Sequence, residues 1–277
     1  MWTCCLNAVP RRTRKKPLEM ITEYTHTYKL TAAQCNAQRE AAPATLVQQI
    51  IDVATEHADI LNIGFKRMGE DSNLWVLSRL AYDIKRYPSI LEEYTITTWI
   101  EGYNKLFSDR NFMIRSVDTG ELLGYARTVW MAIDKTTRRP SDLTSVADPA
   151  VMRPDIECAM ERPGKIRLPK EHPLQREYRF GASDIDFNRH VTSRRYVELA
   201  IDQLPLDVYD QCLLSRFEIA FSHESLCSDT VKVVSGSGSG DSVVSAIIGP
   251  QGEERCITRA LFVSRADGML VPASALL

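Results

Sequence analysis

Two copies of one pattern of apolar residues run along the 277-residue chain, and this duplication limits the folds that it can adopt. Each copy opens with a short strand-like run, Tyr28-Lys29-Leu30 in the first and Tyr178-Arg179-Phe180 in the second. A segment with the ~3.6-residue apolar spacing of an amphipathic helix follows in both, at 46–58 and at 196–204, where Pro205 is predicted to end it. Self-similarity at a fixed period indicates a duplicated structural unit.

Four strand-like runs come after the helix in each copy. They pair between the copies as 75–84 with 214–221, 94–100 with 230–235, 111–117 with 242–248, and 122–133 with 255–263. Long antiparallel strands with a single helix must pack around that helix, because no other large apolar surface is available to them. We therefore predict an α+β fold of the tandem hotdog type, in which two long antiparallel sheets each wrap around a central helix. The sheets are expected to join edge to edge and so remove exposed strand edges; the alternative is a pair of unrelated α+β domains.

The segment between the copies differs in composition from both of them. Residues 135–175 hold six of the thirteen prolines and show little periodicity, so we predict a linker there. The N-terminal hotdog is then expected over residues 20–134 and the C-terminal hotdog over residues 176–277. Residues 1–19 carry five Lys and Arg side chains and are predicted to be a disordered basic tail; a short organelle transit peptide is the alternative.

Composition restricts the partners and the compartment. The net charge of −2 gives no reason to expect nucleic acid, and no apolar run approaches the roughly 18 residues of a membrane span. The seven cysteines are odd in number and form no Cys-x-x-Cys, which favours a reducing cytoplasm over a disulfide framework. The five histidines are dispersed, so neither a metal site nor a cofactor is predicted. We expect a cytoplasmic protein, with a plastid as its location only if the basic N-terminus is a transit remnant.

Only the second copy carries a carboxylate, an amide and an imidazole on alternate residues ahead of its helix, at Asp186, Asn188 and His190. Counted from the matched tyrosines, the same positions of the first copy hold different side chains, namely Asn36, Gln38 and Glu40. Glu224, which follows the 214–221 run, aligns with Lys85 on the strand match. A purely structural requirement would be expected in both copies, so the difference favours a function for the second set.

These groups match the needs of a carbonyl reaction. The N–H groups at the start of the helix, predicted near Thr192, carry the positive end of the helix dipole, and one such donor to an oxyanion typically contributes about 3 kcal/mol. Asn188 can donate a further hydrogen bond or hold a water, and His190 can take a proton or position the substrate. Glu224 is a candidate general base for water, and Asp186 could orient Asn188 or the loop.

Several of these residues also have a structural interpretation. Asp184 and Asp186 are typical of the approach to a helix, where aspartate caps free N–H groups. Asn188 is common in turns for conformational reasons alone. Cys227 is a further candidate nucleophile, although the sequence places nothing beside it that would activate a thiol.

The segment Ser-Asp-Ile-Asp-Phe-Asn-Arg-His-Val at 183–191, followed by Arg-Tyr-Val-Glu at 195–198, resembles the acyl-ACP thioesterases of plants and bacteria. The resemblance extends from about Glu23 to the C-terminus, and in the first half it is mainly one of layout. It implies a tandem hotdog chain that hydrolyses fatty acyl-acyl carrier protein, with the acyl chain in the N-terminal hotdog and catalysis in the C-terminal one. The family's catalytic pattern falls here on four residues: Asp186, Asn188, His190 and Glu224.

The chain also departs from the family pattern. Thr192 and Ser193 stand where the family usually has two asparagines, and Ser225 stands where plant members often have a cysteine. Thr192 and Ser193 can still cap the helix. The resemblance therefore favours a water activated by Glu224 and His190 over a cysteine nucleophile.

The implied partner is acyl carrier protein with its acyl-phosphopantetheine group, and a homodimer is a further option for this chain. Positive charge near the motif, including Arg189, could steer the acidic carrier, with a solvated basic face as the equal alternative. Substrate or carrier contacts are thus expected at five residues: Thr192, Ser193, Arg194, Arg195 and Ser225.

Two other functions fit the same sequence. A coenzyme A thioesterase would need only a different carrier, and a non-catalytic acyl-thioester sensor would keep the hotdog fold without cleavage. A sensor is expected to lack the polar set or to carry a DNA-binding module, and this chain has the polar set. Pocket depth is expected to depend on large side chains such as Trp75, Trp99 and Trp130.

Overall fold

The computed structural model describes residues 21–64, 67–68, 73–145 and 148–277, so the predicted tail at 1–19 lies outside the described residues. The elements of the first half are β1 (Glu23–Lys29), α1 (Pro43–Ile60), β2 (Asn73–Ile84), β3 (Glu93–Tyr103), β4 (Phe107–Ser116) and β5 (Leu122–Asp134). Those of the second half are β6 (Leu174–Arg179), α2 (Ser193–Ile201), α3 (Leu206–Gln211), β7 (Cys212–Phe221), β8 (Thr230–Ser237), β9 (Val243–Ile248), β10 (Glu254–Ser264) and β11 (Leu270–Val271). Each half follows the predicted order of one strand, one main helix and four strands, with α3 and β11 added in the second.

The eleven strands of the described residues belong to a single antiparallel sheet. They run in the order β1-β3-β4-β5-β2-β7-β10-β9-β8-β6, and β11 pairs with β10. The two halves meet where β2 pairs with β7, from Arg79 opposite Ala220 to Asp83 opposite Arg216. The prediction of a tandem hotdog whose sheets join edge to edge is therefore confirmed.

The two main helices lie on the same face of this sheet and pack against each other. Four apolar residues at helical spacing in α1 are completely buried: Leu46, Val47, Ile50 and Val53. Pro43 occupies the first turn of α1, where the missing N–H would have had no acceptor inside the helix. None of the helices in the described residues is long and apolar enough to cross a membrane.

The second main helix is shorter than the sequence predicts. α2 has nine residues against eighteen in α1, and it ends at Ile201. The prediction that it continues to Leu204 was wrong, and Pro205 instead precedes α3. A residue before proline avoids the helical conformation, so the chain leaves the helix before Leu204 and turns into α3.

Side chains from the segment between β5 and β6 cover the opposite face of the sheet. Cys158 and Met160 pack there on Ala81 and Trp99. The Arg127 guanidinium donates to the carbonyl oxygens of both linker residues, Cys158 and Met160, at 3.0 Å each. The segment is thus packed against the sheet, and Trp99 is buried on the side that faces away from the helices.

Candidate active site

The loop that leads into α2 is closed by the side chain of Asp186. Its Oδ1 atom accepts the N–H groups of Asn188 at 2.8 Å and His190 at 3.1 Å. The backbone N–H of Asp186 donates to the carbonyl oxygen of His190 at 2.8 Å. Arg189, between them, has a left-handed conformation with φ of 67°. This tight turn places Asn188 and His190 next to the start of α2.

The first half forms the same loop with Asn36 in the place of Asp186. The Oδ1 atom of Asn36 accepts the N–H groups of Gln38 and Glu40 at 3.1 Å each, and Arg39 has φ of 63°. The predicted alignment of the two copies is therefore right along this loop. Because Asn36 makes the same contacts as Asp186, those contacts are a shared structural feature. In this loop only the imidazole of His190 has no such counterpart, because Gln38, opposite Asn188, also carries a side-chain amide.

The predicted counterpart of Glu224 in the first half is wrong by two residues. Each loop is held by a backbone hydrogen bond from the residue that follows it, Val191 N–H to Ser225 O at 3.0 Å and Ala41 N–H to Pro88 O at 2.9 Å. Glu224 therefore corresponds to Tyr87 and not to Lys85. Apolar alternation aligns strands but not the turns after them, which have no period. The first half therefore has a buried tyrosine at this position, where the second half has a carboxylate.

His190 and Glu224 meet although they are far apart in the sequence. His190 Nε2 lies 2.8 Å from Glu224 Oε2. The hydrogen bond between Val191 and Ser225 brings the two backbones together, so the preceding side chains are within reach of each other. The side chains are 30% and 42% exposed, respectively, which leaves the pair open to water.

A residue that the sequence did not identify completes this group. Arg138, from the turn after β5, forms an ion pair through Nη2 with Glu224 Oε1. Each oxygen of the Glu224 carboxylate thus has its own partner, a guanidinium on one and an imidazole on the other. No sequence signal marks Arg138, because it lies outside both periodic copies. It reaches Glu224 because the β2–β7 pairing brings the two halves side by side.

The start of α2 supplies backbone donors beside this group. Thr192 is the N-cap residue, and its Oγ1 atom accepts the N–H of Arg195 at 3.2 Å. The N–H groups of Ser193 and Arg194, in the first turn, have no acceptor inside the helix. Together with the positive end of the helix dipole, they can bind a carbonyl oxygen or an anion.

The remaining predicted contact residues lie in other surroundings. Arg195 Nε donates to Asp184 at 2.6 Å, and its Nη1 pairs with Glu198 at 2.7 Å. Arg194 also pairs with Glu198, at 2.8 Å, and is exposed. Ser225 is completely buried. Of the five predicted contact residues, Thr192 and Ser193 line the cavity described below, whereas Arg194, Arg195 and Ser225 do not.

Asp184 is a buried acceptor that ties the loop to α2. Its side chain accepts the N–H of Gly181 at 2.8 Å, the hydroxyl of Tyr178 at 3.1 Å and the guanidinium of Arg195. Burial disfavours the charge of Asp184, but these three donors outweigh burial and lower the pKa of its carboxyl below the ordinary value. These contacts support the structural interpretation of Asp184.

His190 and Glu224 open into a cavity of about 540 Å³ that both halves line. The second half contributes Asp186, Asn188, His190, Thr192, Ser193 and Glu224. The first half contributes the outer side of α1, the start of β2 and parts of β4 and β5, including Ile51, Ala54, Ala58, Leu74 and Leu77. Trp75 and Trp130 line the cavity as predicted, whereas Trp99 does not.

The described residues place neither a cysteine nucleophile nor a cluster of metal ligands in this cavity. Cys227, the candidate nucleophile, is exposed and lies outside the cavity wall. Burial raises the pKa of the Cys158 thiol to about 11. Among the residues that the structure describes, no group of three or more His, Cys, Asp or Glu side chains could hold a metal ion.

The fold and the site define a class: tandem hotdog proteins with a histidine–carboxylate pair at a helix start and a cavity shared by both halves. Within it, the family model for the acyl-ACP thioesterase N-terminal domain matches residues 22–148, and the model for the C-terminal domain matches residues 168–263. The chain therefore belongs to the acyl-ACP thioesterase family.

Individual proteins show the same similarity. A palmitoyl-acyl carrier protein thioesterase of Gossypium hirsutum is 24% identical over 214 residues, which cover 73% of this chain and 52% of that protein. An oleoyl-acyl carrier protein thioesterase of Arabidopsis thaliana is 23% identical over 247 residues, or 83% and 67% of the two chains. The crystal structure of an acyl-ACP thioesterase from Bacteroides thetaiotaomicron matches with a TM-score of 0.81 at 28% identity, over 87% of this chain and 98% of that one. The chain spans about half the length of several curated relatives that it matches.

Proposed function

We propose that this protein hydrolyses the thioester of fatty acyl-acyl carrier protein and releases a free fatty acid. The observation that carries the proposal is the 2.8 Å contact of His190 with Glu224 in the wall of a cavity that continues along α1. Membership of the acyl-ACP thioesterase family supports the carrier protein as the substrate's second half. The cavity volume of about 540 Å³ falls in the range of small-molecule sites.

The thioester carbonyl lies at the start of α2 in this proposal. Its oxygen accepts hydrogen bonds from the first-turn N–H groups at Ser193 and Arg194 and from the side-chain amide of Asn188. Such donors stabilise the negative charge that develops on the oxygen when water attacks the carbonyl carbon, and each typically contributes about 3 kcal/mol in a water-excluded site.

Glu224 and His190 divide the proton transfers between them. Glu224 takes the proton of the attacking water, so a C–O bond forms as the tetrahedral intermediate is made. Glu224 passes this proton to His190 across their 2.8 Å contact. His190 then gives a proton to the sulfur as the C–S bond breaks, so the carrier leaves as its free thiol and both side chains regain their starting protonation states. Arg138 fixes the orientation of the Glu224 carboxylate from the other side.

The acyl chain occupies the part of the cavity that the first half lines. Burial of each methylene group contributes roughly 0.8 kcal/mol, so the depth of this part selects the chain length. Trp75 and Trp130 are the largest side chains there, and the Trp75 indole N–H is fixed by the carbonyl oxygen of Ile63 at 2.8 Å.

The carrier protein docks on the exposed side of the loop and of α2. Arg189 and Arg194 are exposed there, beside the entrance residues Asn188 and Ser193. Their positive charge suits an acidic carrier and raises the association rate more than the final affinity. Arg195 holds the loop through Asp184 and contributes little to docking.

The proposal is tested by turnover of purified protein on a set of acyl-acyl carrier proteins of different chain lengths. His190→Ala and Glu224→Ala are expected to lower kcat by at least about 100-fold, the scale of general acid–base catalysis. His223→Ala is the matched control, because this exposed imidazole is next to Glu224 but bonds to the Glu254 carbonyl oxygen at 2.8 Å. Near-normal turnover by either site variant would contradict the assignment.

The two alternative functions give different results in the same experiment. A coenzyme A thioesterase would hydrolyse acyl-CoA as fast as the carrier-bound chain or faster. A sensor would bind the acyl carrier protein stoichiometrically and release no fatty acid. The exposed arginines at the entrance favour the carrier protein as the substrate.

A further inference from the structure

The acyl part of the cavity contains a buried arginine that no carboxylate of the described residues neutralises. Arg110, on β4, lines the cavity and is only 4% exposed. It forms no ion pair with any described residue. Burial lowers the pKa of its guanidinium to about 10, which leaves it charged at neutral pH. A wall that binds only hydrocarbon has no use for such a group, because an uncompensated buried charge is strongly unfavourable.

The side-chain partners of Arg110 are neutral. Its Nη1 atom donates to His57 Nδ1 at 2.7 Å and to Thr98 Oγ1 at 3.3 Å. His57 is completely buried, and its Nε2 lies 2.9 Å from the carbonyl oxygen of Ile21, so Nε2 carries the hydrogen and Nδ1 accepts. Burial and the charge of Arg110 lower the pKa of His57 to about 4, which keeps this imidazole neutral.

The other donors of Arg110 have no partner among the described residues. Both Nη1 hydrogens are used by His57 and Thr98, so Nε and Nη2 retain three N–H groups on a side chain that borders the cavity. Asp52 also lines the cavity, but its carboxylate accepts the side chain of Gln48 at 2.8 Å and makes no ion pair with Arg110.

Two hydroxyl groups lie close to Arg110 on neighbouring strands. Ser108 is two residues before it on β4, is buried and lines the cavity. Tyr103 on β3 stands opposite Ser108, and its buried hydroxyl interacts with the Ser108 hydroxyl and with the charge of Arg110. Burial raises the pKa of Tyr103 to about 12, so its hydroxyl remains a donor. Arg110 and Ser108 thus place polar groups in the cavity wall, and Tyr103 lies next to Ser108 outside the residues that line the cavity.

Arg110 and Ser108 are at the far side of the cavity from the reactive pair. Arg110 is in register with Thr128 on β5, Thr128 with Leu80 on β2, and Leu80 with Ile219 on β7. Glu224 follows β7, so three strand spacings, or about 14 Å along the sheet, separate β4 from the strand that leads to Glu224. A carbon chain advances by less than about 1.5 Å per bond, so it needs on the order of ten carbons to reach Arg110 from the thioester.

We propose that Arg110, with Ser108, forms a distal polar subsite for an acyl chain that carries an oxygen group near its far end. The subsite rests on the proposed function, because the acyl chain must enter the cavity from the thioester end. A terminal hydroxyl or carboxylate accepts the free N–H groups of Arg110, whereas a terminal methyl group leaves them without a partner. Sites built to bind an oxygen discriminate against the analogue that lacks it.

The test compares acyl-acyl carrier proteins of equal length that end in a methyl group, a hydroxyl or a carboxylate, from about eight to about sixteen carbons. The expected result is a kcat/KM at least about tenfold higher for an oxygen-terminated chain at one length near the middle of this range. Preference for the carboxylate over the hydroxyl would show that charge is recognised; preference for the hydroxyl would show hydrogen bonding alone. Equal rates, or a preference for the methyl-terminated chain at every length, would overturn the proposal.

Variants identify the residue responsible. Arg110→Met is expected to abolish the preference and Arg110→Lys to keep part of it. Arg115→Met is the control, because it removes an arginine from the same strand outside the cavity wall. If no chain is hydrolysed at all, the proposed function fails, and calorimetry with the free acids decides the subsite separately. Tighter binding of the oxygen-terminated acid supports it, and equal or weaker binding overturns it.

Discussion

Replacement of Asp184 with Asn tests whether a buried charge holds the active-site loop. Asparagine keeps the shape of the side chain but removes the anion that faces Arg195 at 2.6 Å. Hydrogen bonds to a charged group typically contribute about 1.5–3 kcal/mol, and loss of one member of a buried ion pair costs about 3–5 kcal/mol. Arg195 is 28% exposed, so water replaces part of the lost contact. We therefore expect the free energy of unfolding to fall by about 2–3 kcal/mol.

The matched control is Asp186→Asn, in the same loop. The first half already uses Asn36 to accept the same pair of N–H groups, so this change is expected to cost less than about 0.5 kcal/mol. Urea unfolding at pH 7 measures both variants, with an unchanged m value as the sign that only stability has changed. The reasoning fails if Asp184→Asn is no less stable than Asp186→Asn.

The pH dependence separates a charge effect from a packing effect. The folded protein lowers the pKa of Asp184 below its unfolded value of about 3.9, so the carboxylate stabilises the fold above that pH. This contribution is lost as the pH falls through the folded-state pKa. The difference between wild type and Asp184→Asn should therefore be complete at pH 7 and shrink below about pH 4. A difference that stays constant on acidification would refute the charge argument.

Three further predictions concern activity. Arg138→Met is expected to lower kcat roughly tenfold by freeing the Glu224 carboxylate, whereas Arg139→Met next to it should leave kcat unchanged; single-turnover rates measure this effect. Ala58→Phe fills part of the acyl cavity and should shift the preferred substrate to shorter chains, with about a fourfold loss per methylene that no longer fits, as measured on a chain-length series. Reversal of the charge at Arg189 and Arg194 together should raise KM for acyl-acyl carrier protein but not for acyl-CoA, and added salt should reduce that difference.

The order of elements could be predicted from the sequence because burial imposes periodicity. In α1 the apolar spacing that predicts the helix is the set of residues buried against the sheet. The loops before α1 and α2 also align residue by residue, because both copies close the turn through a side-chain oxygen, at Asn36 and at Asp186. Periodicity and turn chemistry are local, and both are visible in one chain.

The features that the sequence did not reveal depend on contacts between distant segments. Arg138 meets Glu224 only because β2 pairs with β7, and no pattern within either copy records that pairing. Arg110 was missed for a related reason. The predicted strand begins at Asn111, whereas β4 begins at Phe107. Ser108 and Arg110 are polar residues at alternate positions, a pattern typical of a solvent-exposed face, so the prediction left them out of the apolar run. Both Ser108 and Arg110 are buried. Alternation of polar and apolar residues therefore does not identify the buried face of a strand where the interior itself is polar.

The duplicated scaffold explains why one half could acquire reactive groups while the other kept only the framework. In the first half the position of His190 is taken by Glu40, which pairs with Arg265 from the turn after β10. In the second half Glu224 pairs with Arg138 from the turn after β5. Glu40 and Glu224 are thus each paired with an arginine from the turn after a long strand, β10 for Glu40 and β5 for Glu224. Only the second loop adds an imidazole that can move a proton, and it does so where the cavity of the first half opens. The proposed active site therefore needs both halves, and a change that loosens the β2–β7 junction should reduce turnover without altering His190 or Glu224.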